Sequence, residues 1–268
     1  MEYLIAIDME GIHGVVGQPY VGLLRDIPDY KIAVENGVKE VNAAVKALFD
    51  SGATKVGVWD NHGGGGNLDY TKIDPRVTKI DSKGNKYRFD FAKEHDFCGI
   101  VYLGYHAREG TLGGVLAHTY SSVHIQYAKL DGVAVGELEL DTYIAATYGI
   151  APLFSASDDI CNSQFSALAP NAVTVTTKYA KGRNAADFKD EDEVLGEIYD
   201  GVCAAVRRGL TTVSYSVPAE VEIRYTRMEF AAEKKARAAE FGIECEYGED
   251  AHILKFRADS LTQVVAML

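Results

Sequence analysis

No stretch of this sequence approaches the ~20 consecutive apolar residues that a membrane-spanning helix needs, so no membrane partner is expected. The N-terminus, Met-Glu-Tyr-Leu-Ile-Ala-Ile-Asp, lacks a basic leader and meets an acid after few apolar residues; it reads as a first strand, and the expected compartment is the cytoplasm. Cysteine is scarce: Cys98, Cys161, Cys203 and Cys245 stand far apart without C-x-x-C spacing, which argues against a disulfide framework or a thiolate zinc site. Positive charge is in deficit, with a net charge of -12, and pairs such as Arg207-Arg208 and Lys234-Lys235 are too short to form a nucleic-acid stripe. Nucleic acid is therefore not an expected partner. Repeats and low-complexity linkers are also absent.

Several catalytic motifs are missing as well. His62-Gly63-Gly64-Gly65 matches the oxyanion loop of some lipases, but no G-x-S-x-G elbow supplies a serine nucleophile. The same glycine run lacks the G-K-[ST] of a P-loop and the continuation of a dinucleotide fingerprint, and no H-E-x-x-H is present. Serine-esterase, nucleotide-binding and zincin chemistry are thereby set aside.

What remains is a chain of 268 residues with 47% hydrophobic and 25% charged residues, the composition of an ordinary globular protein. Short β-rich runs alternate with amphipathic stretches, the pattern of βαβ units. Strands are expected at 3–8 and 54–60, separated by a helix whose Val34, Val38, Val41, Val45 and Leu48 share one face and which ends at Gly52. Further strands are expected at 97–105, as a pair at 115–120 and 122–129, at 151–156 and at 172–178, with helices after Gly136 and from Asp158-Asp159. A long helix over 191–208 and a small unit of strands and helices follow. The expected fold is α/β, a mostly parallel sheet flanked by helices with a smaller C-terminal α+β lobe, divided as a catalytic domain at 1–182 and a helix plus lobe at 183–268.

The chemistry gathers at strand ends. Asp8 and Glu10, two apart in extended chain, point to one face at the end of the first strand, where open α/β sheets bind ligands. The second strand ends in Trp59-Asp60 and delivers His62 into a run of four glycines; the strand through Leu103 delivers His106. Carboxylate plus neutral imidazole is a ligand mix for zinc or a related divalent ion. Glu137, at the start of the next helix, offers a further carboxylate, although an acid there also gains about 0.3–1 kcal/mol from the helix dipole. Five ligands with three carboxylates exceed the needs of one catalytic zinc and suit two metals. His118 follows the flexible Gly113-Gly114 pair and is the candidate general acid/base. His13, His95, His124 and His252 lack comparable context and read as structural or surface residues.

Together, D-M-E-G at Asp8 to Gly11, D-N-H at Asp60 to His62, L-G-Y-H-A-R at Leu103 to Arg108, A-H-T at His118, V-G-E-L at Val135 to Leu138 and the Asp158-Asp159 pair resemble one family, the binuclear zinc D-aminopeptidases associated with bacterial dipeptide-transport operons. The resemblance runs through most of the first 180 residues; beyond about 185, and at Gly63 to Gly66, it is loose. It implies two zinc ions per subunit held by Asp8, Glu10, His62, His106 and Glu137, with His118 as the catalytic residue. It further implies short peptide substrates with an N-terminal D-residue and a self-compartmentalising ring-shaped homo-oligomer, described as a decamer.

On that reading, zinc-activated water attacks the scissile carbonyl, Asp8 bridges the metals, and His118 protonates the leaving amine or stabilises the tetrahedral intermediate. Two alternatives keep the metals. One is a two-metal amidohydrolase or phosphoesterase acting on a non-peptide substrate, for which Arg108, Lys178 and Arg183 are the candidate cations; the other is a metal-stabilised oligomer without catalysis.

Overall fold

The computed structural model describes residues 1–268. Seven strands form the main sheet: β1 (Glu2–Ile7), β2 (Lys55–Asp60), β3 (Thr78–Ile80), β4 (Phe97–Leu103), β7 (Ala151–Asp158), β8 (Val173–Gly182) and β9 (Ala185–Phe188). Their order is β3-β2-β1-β4-β7-β8-β9, and every pairing is parallel except the β8–β9 hairpin at the edge. The central strands are buried on both faces, which is why β1 reads as the unbroken apolar run Tyr3-Leu4-Ile5-Ala6-Ile7.

Alternation divides the core between the two faces. Tyr3, Ile5 and Ile7 pack with Val56, Val58, Val101 and Leu103 under α1 (Pro28–Asp50) and α4 (Glu191–Arg208). Leu4 and Ala6 pack on the opposite face with Trp59, Ile100 and Tyr102, in a core that continues into α2 (Glu137–Thr147), α3 (Asp159–Leu168) and a second sheet. That second sheet is antiparallel, with β5 (Ile125–Leu130), β6 (Val133–Val135), β10 (Ala219–Tyr225), β11 (Cys245–Tyr247) and β12 (Ile253–Ala258) in the order β11-β12-β10-β5-β6. It is completed by α5 (Met228–Arg237) and α6 (Leu261–Met267). A mostly parallel sheet flanked by helices beside an antiparallel α+β unit matches the expected fold. No helix is long and apolar enough to cross a membrane.

Helix α1 starts with Pro28 in its first turn, a position whose missing N–H costs no helical bond. It buries Ala33, Gly37, Val38, Val41, Ala44, Val45 and Leu48, the stripe that its 3.6-residue period predicts. In α4 the buried positions are Val194, Ile198, Val202 and Ala205, so the stripe is rotated slightly from Leu195 and Val206.

One expectation fails. Residues 115–120 form no strand; the hairpin is β5 with β6, at 125–135. Leu116 and Tyr120 adopt φ values of +50° and +53°, outside the extended region. The Leu116 and His118 amides bond instead to Arg183 and Ala107 carbonyls, so the segment is a loop folded over the ends of the main sheet. The apolar run Val115-Leu116-Ala117 mimics a strand because it is buried in that position.

Candidate metal centre

Parallel pairing sets the site. Ile7 sits opposite both Asp60 and Leu103, so β1, β2 and β4 end at the same edge. Their extensions are stitched together by Asp8 N to Leu103 O at 2.9 Å, Asn61 N to Ile7 O at 2.8 Å and Gly11 N to Gly104 O at 2.7 Å. Gly104 is required here: its φ is +67°, and a Cβ would lie 2.1 Å from the Asp8 carbonyl oxygen.

Asp8 lies between two imidazoles, its Oδ1 2.9 Å from His62 Nδ1 and its Oδ2 3.4 Å from His106 Nε2. Glu10 Oε2 is 3.1 Å from the same His62 nitrogen. Glu137, in the first turn of α2, brings Oε1 to 3.4 Å from His106 Nε2 and 3.6 Å from His118 Nε2, and it accepts from the Tyr120 amide. All six residues singled out from the sequence therefore converge. Donor atoms within 4.8 Å of one another fall into two overlapping groups that share His106: Asp8, Glu10 and His106, and His106, His118 and Glu137.

Tautomers explain what this arrangement requires. His106 Nδ1 faces Ala107 O at 3.1 Å, and His118 Nδ1 faces Leu116 O at 2.8 Å. A carbonyl only accepts, so each Nδ1 carries the hydrogen, and in the neutral ring each Nε2 presents a lone pair. His106 Nε2 is buried and makes no hydrogen bond, although two carboxylate oxygens lie near it. A lone pair facing carboxylates is repulsive unless a proton or a metal cation stands between them. The donor set thus fits a divalent metal.

The titration behaviour of the protein alone carries the same information. Burial opposes charge on His62, but Glu10 and Asp8 raise its pKa to about 11. His106 is likewise pushed well above its ordinary value by Glu137 and Asp8 against the effect of burial. Burial would raise the Asp8 carboxyl, yet contacts with His106 and His62 hold it well below the carboxylate range. Without a metal, the carboxylates recruit protons to the imidazoles; a bound metal supplies the positive charge in their place.

The surrounding support was less legible. Asp141, fully buried one helical turn after Glu137, accepts from Arg88 Nε at 2.7 Å, Tyr105 Oη at 2.8 Å and Tyr120 Oη at 3.0 Å. The i, i+4 spacing of Glu137 and Asp141 was the available signal, since it places both acids on one helix face. Lys178, fully buried, donates to the carbonyls of Glu10, Ile12 and Val15 at 2.6, 2.9 and 2.7 Å and so ties down the loop after β1. Arg108 turns to Glu139 at 2.8 Å. Of the three candidate cations, Arg183 alone lines the cavity over the site, about 280 Å³ in volume, with Asp8, Glu10, His62, His118 and Glu137. Asp158 caps α3 by accepting from the Ile160 and Cys161 amides, each at 2.9 Å. A separate cavity of about 310 Å³, lined by Tyr143, Pro152 and Thr211 among others, has no Asp, Glu, Lys, Arg or His in its wall.

A parallel sheet that ends in a cavity of carboxylates and imidazoles defines a metal-dependent α/β enzyme. The sequence matches the family Peptidase_M55, D-aminopeptidase, over residues 1–268, and the chain belongs to that family. It is 30% identical over 185 residues to a D-aminopeptidase of Bacillus subtilis (strain 168), a match covering 69% of this chain and 66% of the relative. The structure resembles that of the Zn-dependent D-aminopeptidase DppA from Bacillus subtilis, a self-compartmentalizing protease. The TM-score is 0.87 at 25% identity, with 100% of this chain and 95% of the other covered.

Proposed function

We propose that this protein is a zinc-dependent aminopeptidase that removes an N-terminal D-residue from short peptides, using two zinc ions held by Asp8, Glu10, His62, His106 and Glu137. The observation that carries this reading is the buried, unbonded Nε2 of His106 facing Asp8 and Glu137, in a chain belonging to the D-aminopeptidase family. Zinc in such a site supplies Lewis acidity, polarising the scissile carbonyl and making water acidic enough to act as a nucleophile near neutral pH.

The chain's own groups do the rest. Asp8, with one oxygen toward His62 and the other toward His106, would help to hold the ions. His118 is fixed by its Nδ1–H bond to Leu116 O, so its Nε2 faces the cavity as the acid/base that delivers a proton to the leaving amine. The loop of residues 21–24 covers the cavity with Val21, Leu23 and Leu24, an apolar wall for a substrate side chain.

The six residues lie within 1–182, read as the catalytic domain, although β9 and α4 beyond 182 pack with the main sheet and β5 and β6 before it belong to the antiparallel unit. Four unpaired thiols suit the reducing cytoplasm. A ring-shaped homo-oligomer, with the decamer as the reading to test, is supported by the self-compartmentalizing solved relative and by apolar side chains left exposed here, Tyr20, Leu24, Leu112 and Val123.

The test compares release of amino acid from D-Ala-D-Ala and L-Ala-L-Ala by chelator-stripped protein with and without zinc. Zinc-dependent cleavage of the D-substrate alone is expected. Cleavage of neither peptide by zinc-loaded protein would overturn the reading and favour another amide or a phosphoester.

A further inference from the structure

The cavity above the metal centre is electrically lopsided. Asp8, Glu10 and Glu137, the proposed metal ligands, line it, and the single Lys or Arg in its wall is Arg183. That residue sits in the two-residue turn, Arg183-Asn184, joining β8 to β9. Its backbone is clamped: Leu116 N donates to Arg183 O at 2.8 Å, and the Asn184 side-chain amide donates to Val16 O at 2.9 Å.

The guanidinium is clamped as well. Its Nη1 donates to Ala117 O, the carbonyl immediately before His118. No carboxylate pairs with Arg183, and its Nε and Nη2 have no protein partner. Elsewhere near the site the cations are matched: Arg88 holds Asp141, Arg108 holds Glu139, and Lys178 is spent on three carbonyls. Arg183 therefore presents an oriented, uncompensated two-nitrogen edge in the same cavity as the carboxylate cluster. A planar pair of N–H donors is the geometry that receives a carboxylate bidentately.

We infer that Arg183 binds the C-terminal carboxylate of the substrate and so selects dipeptides with a free C-terminus. This rests on the aminopeptidase reading. A dipeptide is a short zwitterion, and only in a peptide that short does the carboxylate lie one residue from the scissile amide. Anchoring the guanidinium on Ala117 O also couples carboxylate capture to the position of His118.

The experiment measures kcat and KM for D-Ala-D-Ala and for its C-terminal amide, D-Ala-D-Ala-NH2, with wild-type, Arg183→Gln and Arg183→Lys protein. Zinc content and thermal unfolding are followed for each. The wild type should prefer the free acid, and R183Q should lose about 10- to 100-fold in kcat/KM on it, mainly through KM. R183Q should lose several-fold less on the amide substrate than on the free acid, and R183K should restore part of the preference. A binding readout accompanies the kinetics: calorimetry of a D-Ala-D-Ala analogue with the scissile amide replaced by methylene-amine, as free acid and as amide, should show the same loss of acid preference. Equal losses on both substrates, or no loss on the free acid, would overturn the assignment while the aminopeptidase reading stands. Wild-type protein that cleaves neither substrate would overturn the reading beneath it.

Discussion

The imidazole rings of His106 and His118 lie face to face, with centroids 3.8 Å apart and planes inclined by 12°, and the Nε2 of each points at the same oxygen of Glu137. Each ring is locked by an Nδ1 bond to a neighbouring carbonyl, so neither can flip without losing that bond. On the proposed reading the difference in access separates their roles: His106, fully buried, would be the ligand, and His118, partly accessible in the cavity, would move the proton.

Replacing His118 by alanine should leave zinc content unchanged and lower kcat by roughly 10²- to 10⁴-fold, the usual worth of a general acid/base. His62→Ala should instead lose zinc, because Asp8 and Glu10 would face each other with no nitrogen between them. Elemental analysis of dialysed protein beside steady-state kinetics distinguishes the two. Full turnover in the His118 variant would remove that residue from the mechanism.

Asp141 should prove a structural keystone of the site wall. Its carboxylate is the buried counter-charge of Arg88, with which it makes two hydrogen bonds, at 2.7 and 3.1 Å. Asp141→Asn leaves that guanidinium with only the more distant Glu137 carboxylate, at 3.9 Å, and should destabilise the protein by about 3 kcal/mol, measured by urea unfolding. A loss under about 1 kcal/mol would mean that Arg88 escapes to water when released.

Two glycines near the site should answer oppositely to alanine. At Gly104 the new Cβ would meet the Asp8 carbonyl at 2.1 Å with φ at +67°, so Gly104→Ala should cost on the order of 3 kcal/mol or more and displace Asp8, with loss of zinc binding. At Gly64 a Cβ meets nothing within 4 Å and φ is not positive, so Gly64→Ala should change stability by no more than about 0.5 kcal/mol. Paired thermal-unfolding curves decide this, and equal effects would contradict the geometry.

Glu40 should leave a pH signature on stability. It is buried in α1, and burial raises its pKa to about 8 despite its bond from the His13 amide and the attraction of Lys178. The folded state then holds a proton that the unfolded chain releases above its ordinary value near 4.5. The stabilisation is complete below that value and is lost as pH rises to about 8, with a slope approaching about 1.4 kcal/mol per pH unit. Glu40→Gln should flatten this part of the curve relative to wild type in urea unfolding between those pH values. An unchanged slope would show that Glu40 is ionised in the folded protein.

Much of the centre was legible in the chain because a parallel sheet has a simple rule. Once 3–8 and 54–60 are read as neighbouring parallel strands, Asp8, Glu10 and His62 must leave at one edge, and the strand ending at Leu103 adds His106. Periodicity also located α1 and α4, since each buries a stripe against the main sheet, whereas α2 is buried continuously from Glu137 to Thr142 and shows no such stripe.

Tertiary structure decided the rest, because those features depend on contacts between segments distant in sequence. Residues 115–120 carry strand-like residues but form a loop, their amides satisfied by Arg183 and Ala107 rather than by a ladder, and that loop is what brings His118 over Glu137. No local pattern separates Arg108, Lys178 and Arg183, three cations that the fold sends to a carboxylate, to three buried carbonyls and to the open cavity. Local sequence determines which strand end a side chain leaves from, through the two-residue alternation of the backbone. Where a loop side chain finally points is set by the nearest buried partner, and that partner is supplied by the whole fold.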